Sequence, residues 1–82
     1  MVSLNDVKEA GTYLKGRVFR TPLVENEYLG SRLDVRLFFK LENLQKTGAF
    51  KVRGVTWKVA SLTMEERKRG VICATSGNHG LG

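Results

Sequence analysis

The sequence contains one cysteine, one histidine and one proline, and it has no long apolar run. Because Cys73 has no second cysteine to pair with, we expect no disulfide framework and a reducing, cytoplasmic compartment. One histidine and one cysteine are too few for a metal site, so no metal is expected. No apolar stretch approaches the roughly 20 residues of a membrane span, and there is no basic-then-apolar leader. We therefore expect no membrane partner and no secretory signal.

Acidic residues are also scarce, with 8 Asp and Glu against 14 Lys and Arg, a formal net charge of +6. Such an excess is compatible with a nucleic-acid or other anionic partner. The basic residues are scattered, however, and the aromatic residues lie in core-like patterns rather than along a basic stripe. A small nucleic-acid-binding module is therefore the weaker hypothesis, and we expect no nucleic-acid partner.

The local patterns predict alternating helices and strands. Ser3 and Asp6 have the spacing of a capping box, which opens a helix that should stop near Gly16. Residues 24–32 are ambiguous and could hold a short helix, and Asp34 marks a turn. Val35–Leu41 is a strand with a mostly apolar interior, typical of a strand that is covered on both faces.

A second helix should start at Lys51, because Val52, Val55, Val59 and Leu62 share one helical face. Thr63 and Glu66 form a second capping box for a short helix that ends at Gly70. Val71–Ala74 is predicted as a buried strand, with Cys73 as an inert core thiol, and residues 76–80 as a turn and helix start.

This alternation predicts an α/β fold with parallel strands. Two strands cannot form a stable parallel sheet by themselves, because each needs neighbouring strands and helices on both faces. We therefore expect residues 1–82 to be the N-terminal segment of a larger fold, without a complete independent domain.

The segment before the second helix is the first candidate site. Gly48 permits an unusual backbone just before Lys51, which sits where a turn becomes a helix and beside the aromatic Phe50. A lysine held against an aromatic ring and shielded from water is more readily neutral, and a neutral amine can form a Schiff base with a carbonyl. The alternatives are a solvated lysine and an ordinary core phenylalanine.

The second candidate site is Thr75–His79. Free backbone N–H groups at the start of a helix bind anions, and Gly77 lets a ligand approach the backbone closely. A carboxylate suits this loop. The alternative is a simple Ser or Asn helix cap.

Three segments together resemble one family. Lys40–Gly54 resembles the cofactor-lysine segment of the threonine dehydratase and serine racemase family, which are fold-type-II, tryptophan-synthase-β-like enzymes that use pyridoxal phosphate (PLP). Arg20–Leu23 resembles the N-terminal signature of that family, and Thr75–Gly80 resembles its substrate-carboxylate loop. One position departs: Ala49 stands where many relatives have serine, which removes one hydroxyl that could contact the cofactor.

The resemblance implies roles for individual residues. Lys51 would be the Schiff-base lysine and the proton shuttle at the substrate's Cα, with Phe50 packed beside PLP. Asn78 would hydrogen-bond the ring oxygen of PLP. Ser76 matches the opposite-face acid or base of serine racemases. The substrate carboxylate would be bound by the loop residues Thr75, Ser76, Gly77, Asn78 and His79.

The implied activity is conversion of a hydroxyamino acid, threonine or serine, to a 2-oxo acid and ammonia by a lyase that is a homo-oligomer at full length. Serine racemase and hydroxyaspartate dehydratase are the alternatives within the family. A catalytically inactive fragment is the alternative outside it, and we expect the 82 residues alone to be inactive.

Overall fold

The structure, a computed structural model, describes all residues from 1 to 82. Two short strands and five helices follow one another, with one 3₁₀ turn before the central helix. In chain order they are α1 (Leu4–Leu14), β1 (Leu23–Glu25), α2 (Glu27–Leu33), β2 (Phe38–Lys40), the 3₁₀ turn Glu42–Leu44, α3 (Lys51–Ala60), α4 (Met64–Arg69) and α5 (Asn78–Leu81).

Both predicted capping boxes are present. The amide of Asp6 donates to Ser3 Oγ at 3.1 Å, and the amide of Ser3 donates to the Asp6 carboxylate at 2.8 Å. At α4 the same reciprocal pair joins Thr63 and Glu66, at 3.1 and 2.9 Å. These bonds satisfy amides that have no partner inside the helix, so they fix where α1 and α4 begin.

The ambiguous segment resolves into β1 and α2. Asn26 caps α2 by accepting from the amide of Leu29 at 2.9 Å. The helix ends at Asp34, whose φ of 54° lies in the left-handed region, so the predicted turn is confirmed.

The sheet differs from the expected parallel arrangement. β1 and β2 pair antiparallel, with Leu23 opposite Lys40 and Glu25 opposite Phe38. Because α2 and its flanking turns bring the chain directly back, the second strand runs against the first rather than crossing over to run beside it.

The predicted strand at Val71–Ala74 is wrong for this structure. These residues form no strand, and Val71 and Ile72 are 70% and 101% exposed. Cys73 is exposed too, so the predicted core thiol is wrong. The physical reason is that a strand forms through hydrogen bonds to a neighbouring strand, and none pairs with this segment within residues 1–82.

The packed centre of the chain is small. Five residues are buried: Val18, Thr21, Gly30, Gln45 and Val52. The radius of gyration is 16.1 Å, whereas a compact domain of this length would have about 12 Å. Much of the apolar surface that a compact domain would bury is therefore exposed.

Packing of α1 against α3 orients the central helix. The rings of Tyr13 on α1 and Trp57 on α3 lie 5.5 Å apart at 57°, a tilted aromatic pair. Trp57 therefore covers a neighbouring helix. None of the helices has both the length and the apolar character needed to cross a membrane.

Candidate active site

The two candidate segments meet in one cleft. Lys51, at the start of α3, and the loop before α5 line an opening of about 400 Å³, although they are more than 20 residues apart in sequence. Packing of α5 against α3 brings them together. The lining residues are Lys51, Ala74, Thr75, Ser76, Asn78 and His79.

Lys51 enters this cleft from the first position of α3. Gly48, three residues earlier, has a φ of 73°, so the unusual backbone predicted before the lysine is present. Lys51 Nζ lies 5.0 Å from the centre of the Phe50 ring, a cation–π contact. Lys51 is nevertheless exposed and Phe50 is 60% exposed, so these 82 residues do not supply the expected shielding from water.

The loop before α5 is shaped by Thr75. Its Oγ1 accepts from the amides of Gly77 at 3.0 Å and Gly80 at 3.3 Å. A hydroxyl has two acceptor lone pairs and one proton, so the proton of Thr75 stays available for an anionic acceptor.

The amides of Asn78 and His79 make no hydrogen bond within the chain. These two donors lie at the first positions of α5, and both residues line the cleft. Gly77, just before them, has a φ of 151°, a conformation that favours glycine. The loop can therefore bind an anion through two backbone N–H donors and one hydroxyl proton.

A polar network behind the lysine was missed by sequence reasoning. Both carboxylate oxygens of Glu42 accept hydrogen bonds from the Arg53 guanidinium, and the bond from Nη2 to Oε2 is 3.1 Å long. Thr21 Oγ1 donates to the same Oε2 of Glu42 at 2.5 Å. Lys40 Nζ donates to the carbonyl of Thr21 at 2.5 Å. The three segments that resemble the family contain charged and polar residues. No periodic pattern in the sequence, however, indicates which of them make contact across 11 or 21 residues.

The charges of this network stabilise one another. The hydrogen bonds from the Arg53 guanidinium hold the pKa of Glu42 at about 2, against an ordinary value of 4.5, with Thr21 acting in the same direction. The same pair raises the pKa of Arg53. Glu42 is therefore a carboxylate at any physiological pH.

Most of the predicted site residues are thus placed around one cleft. Lys51, Thr75, Ser76, Asn78 and His79 line it directly. Phe50 and Gly77 are not among the lining residues, although each adjoins one that is. Ala74 lines the cleft and was not predicted, because nothing in an alanine side chain signals a binding role.

Comparison with known proteins identifies the class. Residues 14–82 match the family described as pyridoxal-phosphate dependent enzyme, so the chain belongs to that family and PLP is its cofactor. The chain is 49% identical over 82 residues to the L-threonine ammonia-lyase of Thermotoga maritima, covering 100% of this chain and 20% of that protein. It is 40% identical over 81 residues to the catabolic L-threonine dehydratase TdcB of Escherichia coli K12, covering 99% and 25% respectively.

Solved structures agree. The serine racemase of Dictyostelium discoideum superposes with a TM-score of 0.85 at 43% identity, over 96% of this chain and 26% of that one. Maize serine racemase superposes with a TM-score of 0.81 at 35% identity, over 95% and 24%. The predicted fold type is confirmed, with residues 1–82 forming a partial α/β unit of it. The chain spans about a fifth to a quarter of the length of these relatives.

The residues of the cleft fit PLP. The cleft volume of about 400 Å³ lies within the range of small-molecule sites, roughly 300–1,000 Å³. It presents an amine at Lys51, which can bond an aldehyde, and hydrogen-bond donors at Asn78. The cleft therefore offers an amine for the aldehyde of PLP and donors for its ring oxygen.

Proposed function

We propose that the protein is a PLP-dependent ammonia-lyase of the threonine dehydratase type, with threonine or serine as substrate and a 2-oxo acid and ammonia as products. The observation that carries the proposal is that Lys51 lines one cleft together with Thr75, Ser76, Asn78 and His79. The names of the similar proteins from Thermotoga maritima and Escherichia coli support the same reaction class.

In this proposal Lys51 holds PLP through its side-chain amine, with Phe50 beside it and Asn78 donating to the ring oxygen. The bound cofactor supplies an electron sink that makes the proton on the substrate's Cα removable. The free amine of Lys51 then takes that proton, acting as a general base at Nζ.

The loop before α5 binds the substrate's α-carboxylate. The amides of Asn78 and His79 and the hydroxyl proton of Thr75 are its donors, and Gly77 allows close approach of the backbone. Binding at this end orients the Cα–H bond towards Lys51, and Ser76 holds or gives a proton on the opposite face. Loss of the β-hydroxyl as water, followed by hydrolysis of the C–N bond, gives the 2-oxo acid and ammonia.

Serine racemase is the second candidate, because two serine racemases superpose on this chain. Its reaction needs the same Lys51 and places Ser76 as acid or base on the opposite face. Hydroxyaspartate dehydratase is a third member of the same reaction group. The cleft residues of this chain are common to all three proposals.

We also propose a cytoplasmic homo-oligomer that has no nucleic-acid partner and belongs to amino-acid metabolism. The single, unpaired cysteine supports a reducing compartment, and the scattered positive charge argues against a nucleic-acid surface. Residues 1–82 alone would be an inactive N-terminal segment, because the cleft is open to water and Lys51 is exposed.

Borohydride trapping tests the proposal. The protein is purified at its natural length, its intact mass recorded, and PLP reduced onto it before peptide mapping. We expect a pyridoxyl group confined to Lys51, lost in K51A and retained in K58A, a control on the same helix. Label spread over many lysines would contradict the site.

Product analysis then separates the candidates. A 2-oxo acid and ammonia from L-threonine or L-serine support the lyase, whereas D-serine as the main product from L-serine supports the racemase. In the racemase, S76A should abolish exchange on one face while Lys51 remains labelled.

A further inference from the structure

The start of α3 carries no side-chain cap. Phe50 occupies the N-cap position without a side-chain hydrogen bond, and the first turn holds no acidic residue. Each of α1, α2 and α4 is capped by a side chain at this point. Something other than a cap must therefore fix the turn from which Lys51 projects.

Arg53 provides that attachment. It is the third residue of α3, and its guanidinium bonds both oxygens of Glu42 on the preceding 3₁₀ turn. Its Nη2 also donates to the carbonyl of Phe19 at 3.4 Å. Val52, between Lys51 and Arg53, is only 7% exposed. Two consecutive residues of the first turn are thus held by the rest of the chain.

The geometry of a helix then places Lys51 on the free side. Residues two apart are separated by about 200° around the axis, so Lys51 and Arg53 point in nearly opposite directions. With Arg53 held on one side, Lys51 faces the cleft on the other. Rotation of the first turn would move both side chains together.

Local helix stability does not explain this arrangement. A cation in the first turn of a helix is disfavoured by the helix dipole, so Arg53 alone would weaken α3. Glu42 offsets that cost with a two-point contact whose partners are 33% and 14% exposed. The Glu42–Arg53 pair is better explained by the orientation that it imposes on the first turn of α3.

We propose that Glu42 is a positioning residue which, through Arg53, sets the direction of Lys51 into the cleft. Thr21 also donates to Oε2 of Glu42, the oxygen that Arg53 Nη2 bonds, so the N-terminal signature and the lysine segment act together. The inference rests on the proposed function, since it concerns the lysine that would hold PLP.

The chain offers a matched control. Glu25 and Arg36 form a second two-point pair, at 2.9 and 3.2 Å, on the exposed side of β1 and away from the cleft. E42Q and E25Q therefore remove the same charge from the same kind of pair. Only the first pair is attached to the helix of Lys51.

The experiment measures the rate of pyridoxyl labelling at Lys51, and whether Lys58 becomes labelled, by borohydride reduction and peptide mapping, in the protein at its natural length. We expect E42Q to slow labelling at Lys51 about tenfold, since a small misplacement of a reacting group is costly. Lys58 should stay unlabelled in E42Q, as in the wild type, and E25Q should behave as the wild type at both lysines. General loosening of the fold would instead raise labelling at Lys58.

R53K is the second variant, in case E42Q does not fold. It keeps the charge but loses the two-point contact, so Lys51 should again label more slowly while Lys58 does not change. Labelling of Lys51 at the wild-type rate in folded E42Q or R53K would overturn the inference. Absence of Lys51 labelling in the wild type would instead overturn the proposed function.

Discussion

Gln45 binds both backbone groups of Phe19 through its side-chain amide. Its Oε1 accepts from the amide of Phe19 at 2.8 Å and its Nε2 donates to the carbonyl of Phe19 at 2.9 Å. The Gln45 side chain thus makes the two hydrogen bonds to Phe19 that a neighbouring strand would make in a sheet. Gln45 is 4% exposed, so these bonds are made where water does not replace them.

Replacement of Gln45 by leucine should be strongly destabilising. The variant Q45L roughly keeps the volume but leaves the amide of Phe19 without a partner and its carbonyl with only the 3.4 Å bond from Arg53, at a cost of about 2–4 kcal/mol in the free energy of unfolding. Urea denaturation of the natural-length protein measures it. N5A, which removes an exposed amide bonded at 3.4 Å to Glu9, is the control and should change the midpoint little. An unchanged midpoint in Q45L would contradict the role of the paired bonds.

Acid should weaken the Glu42–Arg53 pair. The folded pKa of Glu42 is about 2, below its ordinary 4.5, so its stabilising contribution is complete above pH 4.5 and is lost as the pH falls towards 2. The contribution is at most ~3 kcal/mol, reduced by solvent because Arg53 is partly exposed. The difference in unfolding free energy between wild type and E42Q should therefore be largest near pH 7 and shrink between pH 4.5 and 2. A difference independent of pH would show that the carboxylate charge contributes nothing.

Two glycines inside helices should respond to alanine in opposite ways. In G30A the new Cβ would lie 2.7 Å from the carbonyl oxygen of Val35, so the segment after α2 must shift, at a cost of about 1–3 kcal/mol. In G11A the Cβ meets nothing within 4 Å, and α1 should gain about 0.5–1 kcal/mol. The urea midpoints of both variants check this prediction. Midpoint shifts of the same sign and size in G30A and G11A would refute it.

Gly77→Ala should impair substrate binding more than folding. The φ of 151° at Gly77 is unfavourable for alanine, so the loop should move and its donors no longer converge. We expect KM for the amino acid to rise about tenfold, the equivalent of ~1.4 kcal/mol. G70A, whose φ of 78° is also strained but which lies outside the cleft, is the control for strain alone. Equal KM values in the two variants would exclude the loop from substrate binding.

Short-range patterns carried most of what the sequence could predict. The boxes at Ser3 and Thr63 and the backbone at Gly48 depend on residues within four positions, and the start of α3 on apolar residues that recur every three or four positions. The convergence of Lys51 with the loop before α5 followed from family resemblance, and the structure brings Lys51 together with Thr75, Ser76, Asn78 and His79. Their chemical roles stay predictions.

What the sequence could not predict depends on distant partners. An apolar run such as Val71–Ala74 forms a strand only beside another strand, and its composition does not say which one. The hydrogen bonds of Glu42 and Gln45 span 11 to 26 residues, and neither residue belongs to a periodic pattern. Both residues lie in a mostly polar stretch, so the local composition gave no signal that their side chains are enclosed.

The trio of Thr21, Glu42 and Arg53 also constrains how this sequence can vary. Loss of Glu42 alone leaves a cation in the first turn of a helix, and loss of Arg53 alone leaves a largely enclosed carboxylate without its counter-ion. Neither intermediate is favourable, so drift at one position should require a compensating change at the other. For the design of variants, residues from two separate motifs must be exchanged as a set, and transplanting the lysine segment without its N-terminal partner should give a misaligned helix.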